Sequence, residues 1–111
     1  MSYERTSAAG WRIHPGEILR EEFLKPMGLS GYKLAKSLGV TAQRVSDIIL
    51  AKSGISADMA IRLGKFFGMA PEFWMNLQTS YELAVARKHL KKQINKIKPA
   101  SPLHKLFTQY L

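Results

Sequence analysis

The side chains best suited to a chemical role lie at the start of a short predicted helix that follows Thr41. A glutamine pairs with adenine N6 and N7, an arginine pairs with guanine O6 and N7 or with a phosphate, and an alanine contacts a thymine methyl. Gln43 and Arg44 therefore suggest the readout of base edges in the major groove of DNA. The predicted base-reading positions are Thr41, Ala42, Gln43, Arg44, Ser46 and Asp47.

Asp47 fits this set least well, because its negative charge would lie near phosphates. We expect it either to accept a hydrogen bond from cytosine N4 or to brace Arg44, and bracing is the favoured interpretation. The alternative for the whole set is a polar helix face that is merely solvated.

Contacts to the DNA backbone are predicted from the ends of the neighbouring segments. A helix N-terminus presents free N–H groups that bind anions, and lysines add positive charge. The predicted phosphate contacts are Ser30, Gly31, Tyr32, Lys33 and Lys36 on the second helix, and Lys52 and Ser53 after the third.

These positions depend on a bend between two short helices. Ala35, Gly39 and Val45 follow the spacing A-x3-G-x5-V. A small residue lets the helices approach, a glycine adopts the positive φ of the turn, and a branched residue packs the second helix onto the first. The spacing predicts a helix-turn-helix.

Helical spacing of apolar residues recurs along the chain, and alternation typical of strands is scarce. We predict five helices. The first begins at Pro15 and stops at Pro26 and Gly28, and the next three begin after Ser30, Thr41 and Ser56. Gly39, the Lys52-Ser53-Gly54 loop and Gly68 are predicted to end them, and Pro71 opens the fifth.

The chain thus divides into an N-terminal arm (1–13), an all-α helix-turn-helix domain (14–85) and a basic helical extension with a short tail (86–111). Lys88, Lys91 and Lys92 lie in the extension. This segment is interpreted as a solvated back face, a partner-docking helix or a secondary DNA contact, and a solvated or dimer-edge helix is favoured over specific DNA reading. Phe66, Phe67, Phe73 and Trp74 are expected to pack in the core.

Composition limits the classes of function. The chain has 111 residues, a net charge of +9 and no cysteine. The length suits one domain, and the missing cysteines exclude disulfides, iron–sulfur clusters and thiolate zinc sites. The charge favours an anionic partner, nucleic acid first. No apolar stretch is long enough to span a membrane, so we expect no membrane association and a cytoplasmic location.

Catalysis has little support in the sequence. His14, His89 and His104 are too dispersed to predict a metal site or a catalytic triad, and each is expected at the surface or at a helix cap. No phosphate-binding glycine loop occurs either. We therefore expect no enzyme activity, no cofactor and no metal.

Two segments resemble a known family. They read HPGEILREEFLKPMGLSGYKLAKSLGV and ISADMAIRLGKFFGMAPEFWMNLQTSYEL. Together they are similar to the HigA (VapI-like) antitoxins within the Xre/phage-repressor helix-turn-helix superfamily, over about His14 to about Val85. The most specific parts are His14-Pro15-Gly16-Glu17 and Pro71-Glu72-Phe73-Trp74 to Asn76-Leu77-Gln78.

The resemblance implies a five-helix, lambda-repressor-like fold and a homodimer that binds double-stranded operator DNA. It also implies a HigB-type, RelE-like, mRNA-cleaving toxin as partner, and repression of the chain's own operon. By family analogy, Gln43 and Arg44 match base-reading positions, and Thr41 and Ser46 match flanking contacts. A stand-alone phage-like repressor without a toxin is the alternative, and a non-specific RNA or membrane binder that uses the basic extension is a third hypothesis.

Overall fold

The computed structural model describes residues 13–100, and this range forms five helices without a strand. Helix α1 consists of three consecutive pieces, Pro15–Ile18, Leu19–Leu24 and Lys25–Met27. Helices α2, α3, α4 and α5 span Gly31–Leu38, Ala42–Ile49, Ala57–Phe67 and Pro71–Asn95. The predicted arm up to residue 12 and the tail from residue 101, with His104, lie outside the described residues.

Side chains cap four of the helices at their N-termini. The hydroxyls of Ser30, Thr41 and Ser56 accept hydrogen bonds from the backbone N–H three residues later, as predicted. His14 caps α1, because its Nδ1 accepts the N–H of Gly16 at 2.8 Å. The predicted starts of α1 to α4 are therefore confirmed.

Of the two residues predicted to stop α1, Gly28 is confirmed, whereas Pro26 does not end the helix, which continues through this proline to Gly28. The preceding piece, Leu19–Leu24, is a π-helix. In a regular α-helix the ring of Pro26 would clash with the carbonyl of Glu22, four residues earlier. The wider turn of the π-helix removes this conflict, so the chain stays helical.

The core lies between α4, α5 and the first three helices, and Trp74 is its largest fully buried side chain. The ring of Phe23 on α1 packs against Phe67 at 4.8 Å, Trp74 at 5.0 Å and Phe73 at 6.1 Å between centroids. Each fully buried aromatic side chain contributes about 2 kcal/mol to folding. Phe66 remains 38% exposed at the edge of this group.

Helix α5 is a single run of 25 residues. Its first half is packed on the core as far as Ala84, and its side chains are exposed from Arg87 onward. The division that the sequence suggests between residues 85 and 86 therefore lies inside a continuous helix. Within residues 13–100, every helix is too short or too polar to span a lipid bilayer.

The start of α1 rests directly on the end of α3. A Cβ atom built on Gly16 would lie 1.7 Å from the backbone oxygen of Ile48. Since no pair of non-bonded atoms tolerates that distance, residue 16 must be glycine for these two backbones to meet. The sequence alone did not indicate this contact.

We predict that Gly16→Ala destabilises the fold by about 3 kcal/mol, because its methyl group would push the two backbones apart. The measurement is urea unfolding followed by far-UV circular dichroism. Gly31→Ala is the matched control, because its Cβ would meet no backbone atom and only the side-chain ends of Ile49, at 3.3 Å, and Val45, at 3.5 Å. Equal stability of the two variants would contradict the assigned contact.

His14 couples folding to pH. It is buried, and its ring lies edge-on to that of Tyr81 at 4.9 Å between centroids. Burial lowers the pKa of His14 below its ordinary value, although a hydrogen bond with the backbone of Ser53 acts in the opposite direction. The unfolded chain therefore binds the proton more readily than the folded chain.

We expect the free energy of unfolding to be highest above about pH 6.5 and to fall as the pH drops below that value. Protonation would also remove the lone pair that accepts the Gly16 N–H. Urea titrations from pH 7 to about pH 5 measure the effect. His14→Asn keeps a capping acceptor that does not titrate, and it should flatten the profile. His89→Asn, at an exposed position, should leave the profile as it is.

Candidate nucleic-acid interface

The bend between α2 and α3 is built from the residues that the spacing singled out. Ala35 and Val45 are buried, with 2% and 1% of their surface exposed. Gly39 has a φ of 73° and ends α2 in the left-handed region, which other residues rarely adopt. The N–H of Val40 donates to the carbonyl of Ala35 at 3.0 Å and closes the turn.

Helix α3 turns one face to the core and leaves its N-terminal end in solvent. Val45 and Ile48 are buried on the inner face, whereas Ala42 and Gln43 are exposed. The side chain of Arg44 is 40% exposed. Thr41 is exposed, and Ser46 and Asp47 are half-buried further along the helix.

Asp47 braces Gln43 rather than Arg44, so the expected Asp47–Arg44 brace is wrong. Gln43 Nε2 donates to Asp47 Oδ1 at 2.8 Å. The two residues stand four positions apart, one above the other on the helix surface, which favours this pairing. Arg44 instead extends toward the start of α4.

At the start of α4, Arg44 Nη2 meets the hydroxyl of Ser56 at 3.4 Å and the carboxylate of Asp58 at 3.6 Å. Asp58 also accepts a hydrogen bond from Arg62 Nε at 2.6 Å. Arg62 Nη1 in turn donates to the carbonyl of Leu38 at 2.7 Å, which caps the end of α2.

These contacts form one network between α2, α3 and α4. The hydrogen bond from Arg62 holds the pKa of Asp58 below its ordinary value, burial opposes this shift, and the charge of Arg44 adds to it. Sequence reasoning missed both Asp58 and Arg62. The only signal for them was their spacing of four residues, which is common on exposed helix faces.

The candidate phosphate contacts are mostly exposed. Tyr32 is 65% exposed, and the ammonium of Lys36 lies 6.0 Å from its ring centroid. Gly31 is half-buried because it packs against α3, where Val45 Cγ1 would lie 3.5 Å from its Cβ. The other members of this set are exposed, namely Ser30, Lys33, Lys52 and Ser53.

The segment after α3 differs from the expected simple glycine loop. Helix α3 ends at Ile49, and Ala51 takes a positive φ of 62°, which is unusual for a residue with a side chain. The N–H groups of Lys52 and Ser53 both donate to the carbonyl of Asp47, at 2.7 Å and 3.2 Å. The backbone thus folds back onto the C-terminal end of α3.

Gln78 on α5 fixes the far end of this loop. Its Oε1 accepts the N–H of Ile55 at 2.7 Å, and its Nε2 donates to Glu82 at 2.7 Å. A Cβ on Gly54 would lie 2.5 Å from the Gln78 amide nitrogen, so the loop passes very close to this side chain. Gln78 lies within the family-like stretch, but its hydrogen bonds to the loop and to Glu82 were not predicted from residue types or spacing.

Within residues 13–100, no group of three or more acidic or histidine side chains is arranged to hold a metal ion. Lys88, Lys91 and Lys92 are exposed on the second half of α5. The predicted base-reading and phosphate-contact residues therefore come together at the exposed end of α3 and in the segments that flank it.

Comparison with known proteins shows the family to which this chain belongs. A family model described as helix-turn-helix matches residues 21–74. Virulence-associated protein I of Dichelobacter nodosus is 52% identical over 89 residues, which are 80% of this chain and 82% of that protein. Antitoxin HigA-1 of Vibrio cholerae is 38% identical over 88 residues, which are 78% of this chain and 82% of that protein.

A solved structure, described as Pseudomonas aeruginosa antitoxin HigA with higBA promoter, superposes with a TM-score of 0.78. It is 52% identical and covers 81% of this chain and 99% of its own. The fold, the helix-turn-helix and these relatives agree, and the chain belongs to the HigA (VapI-like) family of helix-turn-helix antitoxins.

Proposed function

We propose that this chain is a HigA-type antitoxin that binds operator DNA as a homodimer and represses its own operon. The observation that carries the proposal is the exposed N-terminal end of α3, with Gln43 and Arg44 at its tip. A recognition helix enters the major groove by this end. The similar Pseudomonas aeruginosa HigA structure was solved with promoter DNA, which supports the same use of α3 here.

Gln43 and Arg44 supply the base contacts in this proposal, flanked by Thr41, Ala42 and Ser46. Ser30, Gly31, Tyr32, Lys33, Lys36, Lys52 and Ser53 supply the phosphate contacts. The two α3 helices of a dimer would enter successive major grooves about 34 Å apart, so the operator is a palindrome with half-sites one turn apart. For each phosphate that a lysine or arginine neutralises, the logarithm of the binding constant should fall by about 0.9 per unit of the logarithm of the salt concentration.

Arg44 has to leave Asp58 and Ser56 to reach a base. At 3.6 Å and with both side chains about half exposed, the ion pair with Asp58 is weak. Its loss therefore costs little folding stability, while a bidentate contact with guanine contributes about 1–3 kcal/mol of discrimination. The exchange of partners favours the DNA complex.

The second part of the proposal is a toxin partner. Relatives named antitoxin support a HigB-type, RelE-like, mRNA-cleaving toxin that this chain neutralises in the cytoplasm. The stand-alone repressor is the competing function, and it differs only in the missing toxin.

We predict that Arg44→Ala abolishes the preference for the chain's own upstream DNA and leaves folding unchanged. Gel-shift titrations against this DNA and against an unrelated duplex measure the preference, and urea unfolding checks the fold. Lys36→Ala is the matched charge control. It should weaken both complexes alike and reduce the salt slope by about 1. An Arg44→Ala protein that still prefers its upstream DNA would refute the base-reading role.

We further predict that the product of the adjacent small reading frame arrests growth when expressed alone. Co-expression of this chain should restore growth, because the antitoxin occupies the toxin. The growth curve of cells with both genes is compared with that of cells with the neighbouring gene alone. A neighbouring product without effect on growth would favour the stand-alone repressor.

A further inference from the structure

We propose that Asp47 is a positioning residue that makes Gln43 select adenine over guanine. The inference rests on the proposed function, because it concerns how α3 reads a base. In this inference Asp47 neither contacts a base nor braces Arg44. It orients the side-chain amide of Gln43, one turn earlier on α3.

The direction of the Gln43–Asp47 hydrogen bond is fixed by chemistry. A glutamine amide has one acceptor oxygen and two N–H donors, whereas an ionised carboxylate only accepts. Gln43 Nε2 lies 2.8 Å from Asp47 Oδ1, so Gln43 must turn its nitrogen toward Asp47. The opposite orientation would place two acceptor oxygens against each other.

This bond leaves Gln43 with one free N–H and a free Oε1. Adenine presents the N7 acceptor beside the N6 donor in the major groove, and this pair complements the two remaining groups. Guanine presents two acceptors, N7 and O6. A glutamine whose second N–H is occupied by Asp47 offers guanine only one donor, and its Oε1 faces the guanine O6.

The surroundings keep Asp47 available for this role. In the free protein Arg44, a cation three residues earlier, is directed to Ser56 and Asp58 at the start of α4. In the proposed complex Arg44 contacts DNA, so in both states it leaves Asp47 to Gln43. Asp47 is half-buried while Gln43 is exposed, and their hydrogen bond of 2.8 Å lies at the surface of α3.

Substitution of Asp47 should therefore change which base is chosen. In Asp47→Asn, the new amide can donate to Gln43 Oε1, and both N–H groups of Gln43 are then free for guanine N7 and O6. Asp47→Ala frees the same two donors. Asp47→Glu retains a group that only accepts, so it should rescue the wild-type choice.

The experiment selects DNA from a duplex library randomised over its central base pairs, with the full chain and each variant. Wild-type protein should enrich a motif with an adenine that Gln43→Ala no longer requires, which identifies the base pair that Gln43 reads. At that pair, the preference for adenine over guanine should fall about fivefold or more in Asp47→Asn and Asp47→Ala. Asp47→Glu should keep it.

Two controls separate positioning from charge and stability. Glu72→Gln removes a carboxylate from the exposed first turn of α5 and should leave the base preference unchanged. In a Gln43→Ala background, Asp47→Asn should have no further effect on the choice of base, because the residue that Asp47 orients is gone.

If Asp47→Asn and Asp47→Ala still bind the operator and both keep the wild-type preference for adenine, the inference is overturned. An equal shift in the Gln43→Ala background, or a Gln43→Ala protein that enriches the wild-type motif, would also overturn it. If wild-type protein enriches no motif at all, the proposed function itself fails, and the inference fails with it.

Discussion

The position of the recognition helix depends on a contact between two backbones. The carbonyl oxygen of Ile48 fills the space that a side chain on residue 16 would occupy, so α1 and the last turn of α3 touch without side chains between them. A contact of this kind has no side-chain rotamers that could adjust, so any side chain on residue 16 would displace α1 from α3. His14, two residues earlier, accepts a hydrogen bond from the Gly16 N–H.

The other contacts that hold α3 lie at its C-terminal end and in the loop that follows, and they leave its N-terminal end in solvent. Ala51 turns the chain, the Asp47 carbonyl accepts two N–H groups from the loop, and Gln78 holds Ile55 from α5. The exposed end is organised by polar contacts alone, with Gln43 on Asp47 and Arg44 on Asp58. The ion pair of Arg44 with Asp58 contributes little to stability and exchanges readily for contacts with a ligand. Packing therefore determines the position of α3, and polar contacts determine which side-chain groups its exposed end offers to a ligand.

Most of the helices could be predicted from the sequence, because their signals are local. Ser30, Thr41 and Ser56 cap helices that begin one residue later, and Gly39 ends α2, as spacing and residue type indicated. The contact of Gly16 with Ile48 was not predictable, since it joins residues far apart in sequence. The π-helical piece before Pro26 and the positive φ of Ala51 were also missed. A proline signals a conflict in a regular helix but not whether the helix stops or widens, and a positive φ is unusual for an alanine. At the site, exposure of Gln43 followed from helical periodicity. The contacts of Arg44 depended on where α4 begins, whereas Asp47 pairs with Gln43 within α3.

Helix α5 has a mechanical consequence for whatever binds its second half. The segment from residue 72 to 95 contains neither glycine nor proline, so it has no built-in hinge. At 1.5 Å per residue the whole helix is a stiff rod of about 37 Å. Trp74 anchors one end in the core, and the molecule measures 53 Å along its long axis against 27 Å across. A force that a partner exerts on the C-terminal half of α5 is therefore transmitted along the helix to the aromatic cluster around Trp74, because the helix has no point at which it bends easily.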